Sequence, residues 1–323
     1  MRIAVIGAGA IGGLLAAHLA GSGEDILILA RGPTLAAIRK DGLRLTEAGK
    51  TTALRIPASD NPKELGPQDL VIVAVKGPAL AGVAPAIAAL LGADSAVLPA
   101  MNGVPWWFTK GLGGSIADQP LRSVDPDRTI SKCIPVSRAI GCVVHASASV
   151  AAPGHILHNT GNGLIIGEPD GSQTPRLARV ADLLRGAGFD VTVSRRIQQD
   201  VWYKLWGNMT MNPISAMTGA TADRVLDDAL VEAFILDVMA EAKEVGRRIG
   251  CPIAESGEDR MKVTRKLGAF KTSMLQDFEA GRALEIGPIL GVFPELGRRL
   301  EVPTPFCDAV LGLLRQRAAN SGL

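Results

Sequence analysis

Arg2-Ile3-Ala4-Val5-Ile6-Gly7-Ala8-Gly9-Ala10-Ile11-Gly12 opens the chain, and its reading decides the fold. Residues 2–6 form a short apolar run that ends directly in glycine. An apolar helix, Leu14 to Ala20, follows, and then a second strand, Ile26 to Ala30. Strand, glycines, helix and strand within about 30 residues give each glycine a task. Gly7 permits the tight turn, Gly9 lets the backbone approach a pyrophosphate, and Gly12 lets helix and strand pack closely. The free N–H groups of Ala10 and Ile11 then lie at the helix start, where the dipole favours negative charge. A glycine-rich turn without a ligand is the plainer alternative.

The residue closing the second strand reports on the nucleotide. An NAD site usually carries Asp or Glu there, accepting from the ribose hydroxyls. Here Leu27-Ile28-Leu29-Ala30 runs into Arg31. A guanidinium in place of a carboxylate suits a 2′-phosphate, so the expected cofactor is NADPH/NADP+ rather than NADH. Asp69 to Lys76 reads as a buried parallel strand ending in a charge. Ligands of open α/β sheets bind outside the carboxyl ends of strands, so Lys76 is placed to meet cofactor, or else is a surface lysine. Asn102 follows a further strand, Ala96 to Ala100. It sits where it could reach the nicotinamide or the substrate, although Asn-Gly is also a common turn pair.

Residues 41–58 alternate enough to suggest a β-excursion. Pro105 to Asp127 reads as a long loop with one helical turn, and its Trp106-Trp107-Phe108 either covers an active site or caps the core. Residues 133–168 carry short β-like runs consistent with antiparallel strands finishing the sheet. Helix Pro175–Ala187 and strand Asp190–Val193 close the first domain. Beyond residue 195 the pattern is almost entirely helical: 225–249 as one long helix stopped by Gly250, then 258–267, 286–300 and 305–317. The expected fold is therefore α/β: a Rossmann-type dinucleotide-binding domain over 1–194, followed by an all-α domain over 195–323. The expected substrate cleft lies between the two.

Within the helical half, Asp-Val-Trp-Tyr-Lys-Leu-Trp-Gly-Asn-Met-Thr-Met-Asn (200–212) stands apart. Lys204, Asn208 and Asn212 are spaced four residues apart, so on a helix they form one slightly spiralling polar ridge. Val201, Leu205, Trp202 and Trp206 flank the ridge and would pack the helix down. An ammonium and two amides suit a ligand with a carbonyl and a hydroxyl or carboxylate. A solvated helix face is the bland alternative.

Bulk properties narrow the classes. At 323 residues with 47% hydrophobic content, the chain can build two cored domains. A formal net charge of +2 gives no electrostatic footprint for nucleic acid. No apolar run approaches the roughly 20 residues that cross a bilayer. The chain starts at once with a strand, without a signal-like segment, and a cytoplasmic location is expected. Cys133, Cys142, Cys251 and Cys307 share no metal or redox spacing and read as free thiols. His155 and His158 have no further ligand at metal spacing, so no metal is expected. A monomer and a homodimer are equally compatible with the pattern.

Together these stretches resemble the ketopantoate reductase (2-dehydropantoate 2-reductase) family over nearly the whole length. The fingerprint with Arg31, the Met101-Asn102-Gly103 stretch and the Lys204/Asn208/Asn212 spacing are similar to that family's motifs. So are Ser273-Met274-Leu275-Gln276-Asp277, Gly281-Arg282 and Glu285-Ile286. The resemblance implies an NADP-dependent oxidoreductase reducing 2-dehydropantoate to (R)-pantoate, a step of pantothenate and coenzyme A biosynthesis. It implies Lys204 as general acid, and Glu285 as its ionic partner or a substrate contact. Asn208, Asn212 and Ser273 would bind the substrate's hydroxyl and carboxylate, with Asn102 and Lys76 beside the cofactor and the reacting carbonyl. Two departures bear on the substrate. The family often has Asp two residues after the glutamate, where this chain has Gly287 and Pro288, and the Trp106-Trp107-Phe108 loop looks longer than usual. A reductase of another small 2-keto acid and a catalytically idle NADP-binding sensor are the alternatives.

Overall fold

Ile3, Ala4, Val5 and Ile6 are almost completely buried because their strand lies in the middle of a parallel sheet. The structure, a computed structural model, describes residues 1–323. It divides into two compact units, Met1–Met101 with Arg128–Ile197, and Asn102–Asp127 with Gln198–Leu323. Residues 102–127, which a single cut at 194 would assign to the first domain, lie in the second unit.

The first unit begins β1 (Arg2–Ile6), α1 (Ala10–Gly21), β2 (Asp25–Leu29), α2 (Gly32–Asp41), β3 (Leu43–Glu47) and β4 (Lys50–Leu54). It continues through β5 (Ala58–Ser59), α3 (Pro62–Leu65), β6 (Gln68–Val73), α4 (Gly77–Ala88) and β7 (Leu91–Pro99). After the excursion into the second unit come α5 (Thr129–Cys133), β8 (Gly141–Ala152), β9 (His155–Gly167), α6 (Pro175–Gly186) and β10 (Asp190–Val193). The first sheet runs β5-β2-β1-β6-β7 with every pair parallel. Such a sheet buries both faces, which is why its strands read as unbroken apolar runs.

The long strands β8 and β9 do not finish that sheet, as the sequence suggested; they found a second one. β8 lies antiparallel along β9, while the other edge of β9 is shared by β3 and β10, both parallel to it. The β-excursion is the β3–β4 hairpin, antiparallel from Leu43↔Leu54 to Glu47↔Lys50. Alternating residues show that a strand forms but not which free edge it joins, so the error is one of partner. Apart from His18, helix α1 is apolar on every face, as suits a helix with most of its residues buried. A Cβ at Gly13 would fall 2.6 Å from Ile156 Cγ1, so this glycine lets β9 press against the helix. Helix α2 lies in a stretch without a clear apolar periodicity. Gly32 and Pro33 start it and Arg39 and Lys40 close it, an arrangement that suits the helix dipole despite its short length.

The second unit comprises α7 (Ile197–Thr218), α8 (Ala222–Asp227), α9 (Ala229–Arg248), α10 (Gly257–Arg265), α11 (Ser273–Glu279), a π-helical stretch (Gly287–Gly291), α12 (Val292–Leu300) and α13 (Pro305–Asn320). The single helix expected over 225–249 is broken at Asp228. Its carboxylate accepts from the N–H groups of Leu230 (2.9 Å) and Val231 (3.1 Å), capping a new helix. Trp106, Trp107 and Phe108 are buried, so this stretch belongs to the core of the helical unit. The Trp202 ring lies 5.9 Å from Phe108 and 4.7 Å from Phe293, within the range of favourable aromatic pairs. Trp206 Nε1 donates to the Met239 carbonyl at 2.9 Å, satisfying the buried indole. All four cysteines are free. No helix is long and apolar enough to cross a membrane.

Candidate active site

In the first unit, the sheet order brings three stretches to one edge. β1 ends at the glycine turn, its neighbour β2 leads to Arg31, and its other neighbour β6 leads to Lys76. Gly7 has φ +89°, and a Cβ there would meet Val75 Cγ1 at 2.9 Å. A Cβ at Gly12 would overlap the Gly7 carbonyl oxygen, so strand and helix are in backbone contact. Gly9 is different: it is exposed, and nothing lies within 4 Å of a Cβ built on it. As N-cap of α1 it supplies no side-chain acceptor, so the N–H groups beginning with Ala10 and Ile11 have no capping side chain. Open space above uncapped helical N–H groups fits a pyrophosphate. Arg31 and Lys76 are exposed and form the N-caps of α2 and α4. The residues therefore suit a dinucleotide, with cations on both sides of the turn.

In the second unit, α7 presents Lys204, Asn208 and Asn212 on one face. Asn212 is only 6% exposed and the other two are partly buried, so this ridge is not a solvated surface. Val201, Trp202, Leu205 and Trp206 pack the remaining faces, while Tyr203 turns outward. Lys204 Nζ donates to Asn102 Oδ1 at 3.0 Å. Two residues on, Val104 N–H donates to the Pro288 carbonyl at 2.8 Å. Gly103, at φ +83°, is pressed so closely on Pro288 that a Cβ would fall 2.8 Å from its Cβ. Glu285, 4% exposed, precedes Pro288 by three residues. Neither Lys204 nor Glu285 is without a further polar partner. Ser273 is the exposed first residue of α11, and no hydrogen bond joins it to α7.

The sequence reading missed the clamp that holds the 102–127 segment. The N–H groups of Arg122 and Ser123 each donate to one oxygen of Glu295, both at 2.8 Å. Arg299 donates to the same carboxylate at 2.5 Å and to the Pro120 carbonyl at 2.8 Å. Burial by itself would raise the pKa of Glu295, but these donors outweigh it and hold the carboxyl below its ordinary range. The sign follows. A depressed folded pKa gives stability that is complete above the ordinary value of 4.5 and fades as pH falls through the depressed one. Glu295→Gln should therefore cost about 2 kcal/mol near neutral pH. The gap between variant and wild type should close in urea titrations performed below pH 4.5. A gap that persists in acid would show that the charge is not what holds the loop.

The family description Ketopantoate reductase PanE/ApbA matches residues 3–171, and Ketopantoate reductase PanE/ApbA C terminal matches residues 196–318. The chain belongs to the ketopantoate reductase family. It is 41% identical over 323 residues to 2-dehydropantoate 2-reductase of Mesorhizobium japonicum, covering 100% of this chain and 99% of that one. A solved structure from Ralstonia solanacearum MolK2, provisionally assigned by its name to the ketopantoate reductases, is 53% identical with a TM-score of 0.96. The match covers 100% of this chain and 99% of that one. A PanE/ApbA family ketopantoate reductase from Ralstonia eutropha JMP134 is 26% identical with a TM-score of 0.86, each chain covered in full.

Two features of this ketopantoate reductase family member now have physical explanations. In the Ser-Met-Leu-Gln-Asp stretch, Asp277 is buried and accepts from Arg282 Nε at 2.9 Å, while Arg282 N–H donates to the Asp277 carbonyl at 2.9 Å. This pair folds the turn that delivers the chain to Glu285. Gly287 faces the Ser123 backbone, and a Cβ there would overlap the Ser123 carbonyl oxygen. The glycine is thus required by the packing of the 102–127 segment against the π-helical stretch.

Proposed function

We propose that the chain is an NADPH-dependent 2-dehydropantoate 2-reductase producing (R)-pantoate, with Lys204 as general acid. The observation that carries this reading is the ammonium of Lys204 held at 3.0 Å by the Asn102 amide, on a largely buried helix face. Family membership and the 41% identical 2-dehydropantoate 2-reductase support the substrate assignment. When bound, the dinucleotide supplies the hydride that reduces the C2 carbonyl. Negative charge then develops on the carbonyl oxygen. Lys204 stabilises that charge and delivers a proton from Nζ, joining electrostatic and general-acid roles. Asn102 keeps the ammonium from wandering by accepting a hydrogen bond from one of its three N–H groups. Asn208 and Asn212 offer amide donors and acceptors along the same face for the substrate's hydroxyl and carboxylate. Glu285 adds a buried carboxylate close in sequence to the Pro288 contact.

Arg31 and Lys76 are the proposed cationic contacts of the cofactor. Arg31→Ala should weaken NADPH binding by about 10- to 100-fold, the loss expected for one charged hydrogen-bonding partner. NADH binding should change little, and fluorescence titration with both nucleotides checks this. Equal losses would remove the basis for the NADPH preference. A panel of 2-keto acids assayed by NADPH oxidation tests the substrate. 2-Dehydropantoate should exceed pyruvate and other small keto acids in kcat/KM by at least about tenfold. The second reading is a reductase of a different small 2-keto acid, because Gly287 offers no side chain two residues from Glu285. A different best substrate in the same panel would select it.

A further inference from the structure

Four histidines occur in the chain, and two of them meet outside the dinucleotide turn and the Lys204 face. His18, in the last turn of α1, has Nδ1 3.1 Å from the Ala187 carbonyl. A carbonyl only accepts, so Nδ1 carries the hydrogen. In a neutral ring Nε2 is then a bare lone pair. That atom is buried without a hydrogen-bond partner and lies 3.6 Å from Glu47 Oε1, beyond hydrogen-bonding range. His158 repeats the pattern with its nitrogens exchanged. Its Nε2 lies 2.6 Å from the Gly161 carbonyl, and its Nδ1 meets the same Glu47 oxygen. Each imidazole thus holds a backbone carbonyl with its outer nitrogen and turns its inner nitrogen to one carboxylate.

Two imidazole nitrogens turned to one carboxylate call for positive charge among them, carried either by protons on the rings or by a metal ion. We propose that His18, Glu47 and His158 bind a divalent transition-metal cation of the zinc type, with the remaining coordination position open to water. The three ligand atoms lie within 4.8 Å of one another. Bonds of about 2.1 Å to a tetrahedral ion place ligand atoms roughly 3.4 Å apart, close to the 3.6 Å between His18 and Glu47, whereas His158 and Glu47 are in direct contact and must draw apart to admit the ion. Outer nitrogens fixed by carbonyls are the usual means of orienting metal-bound histidine. Imidazole and carboxylate together suit zinc and its neighbours rather than magnesium or calcium. Glu47 is half exposed, so ion and water have an entry path. The absence of metal spacing in the sequence is explained by distance: Glu47 and His158 are 111 residues apart. His155, the histidine nearer in sequence, instead places Nε2 2.8 Å from Thr46 Oγ1. The site lies roughly 12 Å along α1 from the dinucleotide turn, at 1.5 Å per residue. An ion there would tie α1 to the ends of β3 and to β9.

The test uses chelator-treated full-length protein titrated with zinc chloride, followed by calorimetry and thermal unfolding. Wild type should bind about one zinc per chain with release of protons, and its Tm should rise by a few degrees. Glu47→Gln, His18→Gln and His158→Asn should each weaken binding by at least about tenfold. His155→Asn should leave it unchanged. Should a histidine variant fail to fold, the half-exposed Glu47→Gln decides the matter. No saturable binding by wild type, or equal affinity in wild type and Glu47→Gln, overturns the proposal; in that event protons alone balance the cluster.

Discussion

Lys204→Ala should lower kcat for NADPH-dependent keto-acid reduction by at least about 100-fold, the lower bound for general-acid catalysis. The Kd for NADPH should stay within about a factor of two, because the residues proposed to hold the dinucleotide, Gly7 to Lys76 together with Asn102, do not lie on α7. Stopped-flow and steady-state assays at saturating substrate separate the two quantities. Lys204→Arg is the informative companion. It keeps a positive charge, but a guanidinium does not give up its proton near neutral pH and is shaped differently, so it should not restore turnover. Asn102→Ala should cost less than removing the lysine, since it frees the ammonium without abolishing it. Wild-type turnover in Lys204→Ala would end the general-acid assignment. Tight NADPH binding by wild type with no oxidation on any keto acid would leave the sensor reading.

Gly287→Ala carries the largest expected effect on stability. The added methyl would strike the Ser123 carbonyl, a backbone atom that no rotamer change can move aside. Arg122 and Ser123 are anchored to Glu295, so the loop has little room to retreat. The cost should be about 3 kcal/mol, the upper end for overpacking. It should be read as a lower urea midpoint with an unchanged m-value. Since Glu285 and Pro288 flank the site of collision, KM for the keto acid should rise together with the loss of stability. Gly312→Ala on α13 is the control. Nothing lies within 4 Å of a Cβ there, and alanine is the better helix former, so stability should hold or increase slightly. An unperturbed Gly287→Ala would mean that the 102–127 segment does not press on the π-helical stretch.

Much of the architecture was open to direct reading because its signals are local. Gly12 answers to the Gly7 carbonyl five residues back, and Gly9 to the open space over the helix start, although Gly7 itself packs against the remote Val75. The four-residue spacing of Lys204, Asn208 and Asn212 needs only the helical repeat to bring the three together. Where the reading erred, the deciding contact was remote or small. Their composition marks β8 and β9 as strands but does not name their sheet, because pairing depends on which edges are vacant after collapse. The break at Asp228 turned on one carboxylate capping two N–H groups, a device that an apolar periodicity passes over. Trp106, Trp107 and Phe108 were ambiguous until Trp202 and Phe293 were found packed against them.

By itself, then, the order of residues determined a glycine-turn nucleotide unit, a helical unit after it, and a lysine–amide face on the helix opening that second unit. Those features rest on interactions spanning a few residues, whose geometry the backbone imposes wherever they occur. Tertiary structure alone decided that Asn102 holds Lys204, that Ser123 forbids a side chain at Gly287, and that His18, Glu47 and His158 converge. Each of these joins segments distant along the chain. Such meetings are set by how the two cores close around their buried side chains, which no local pattern encodes.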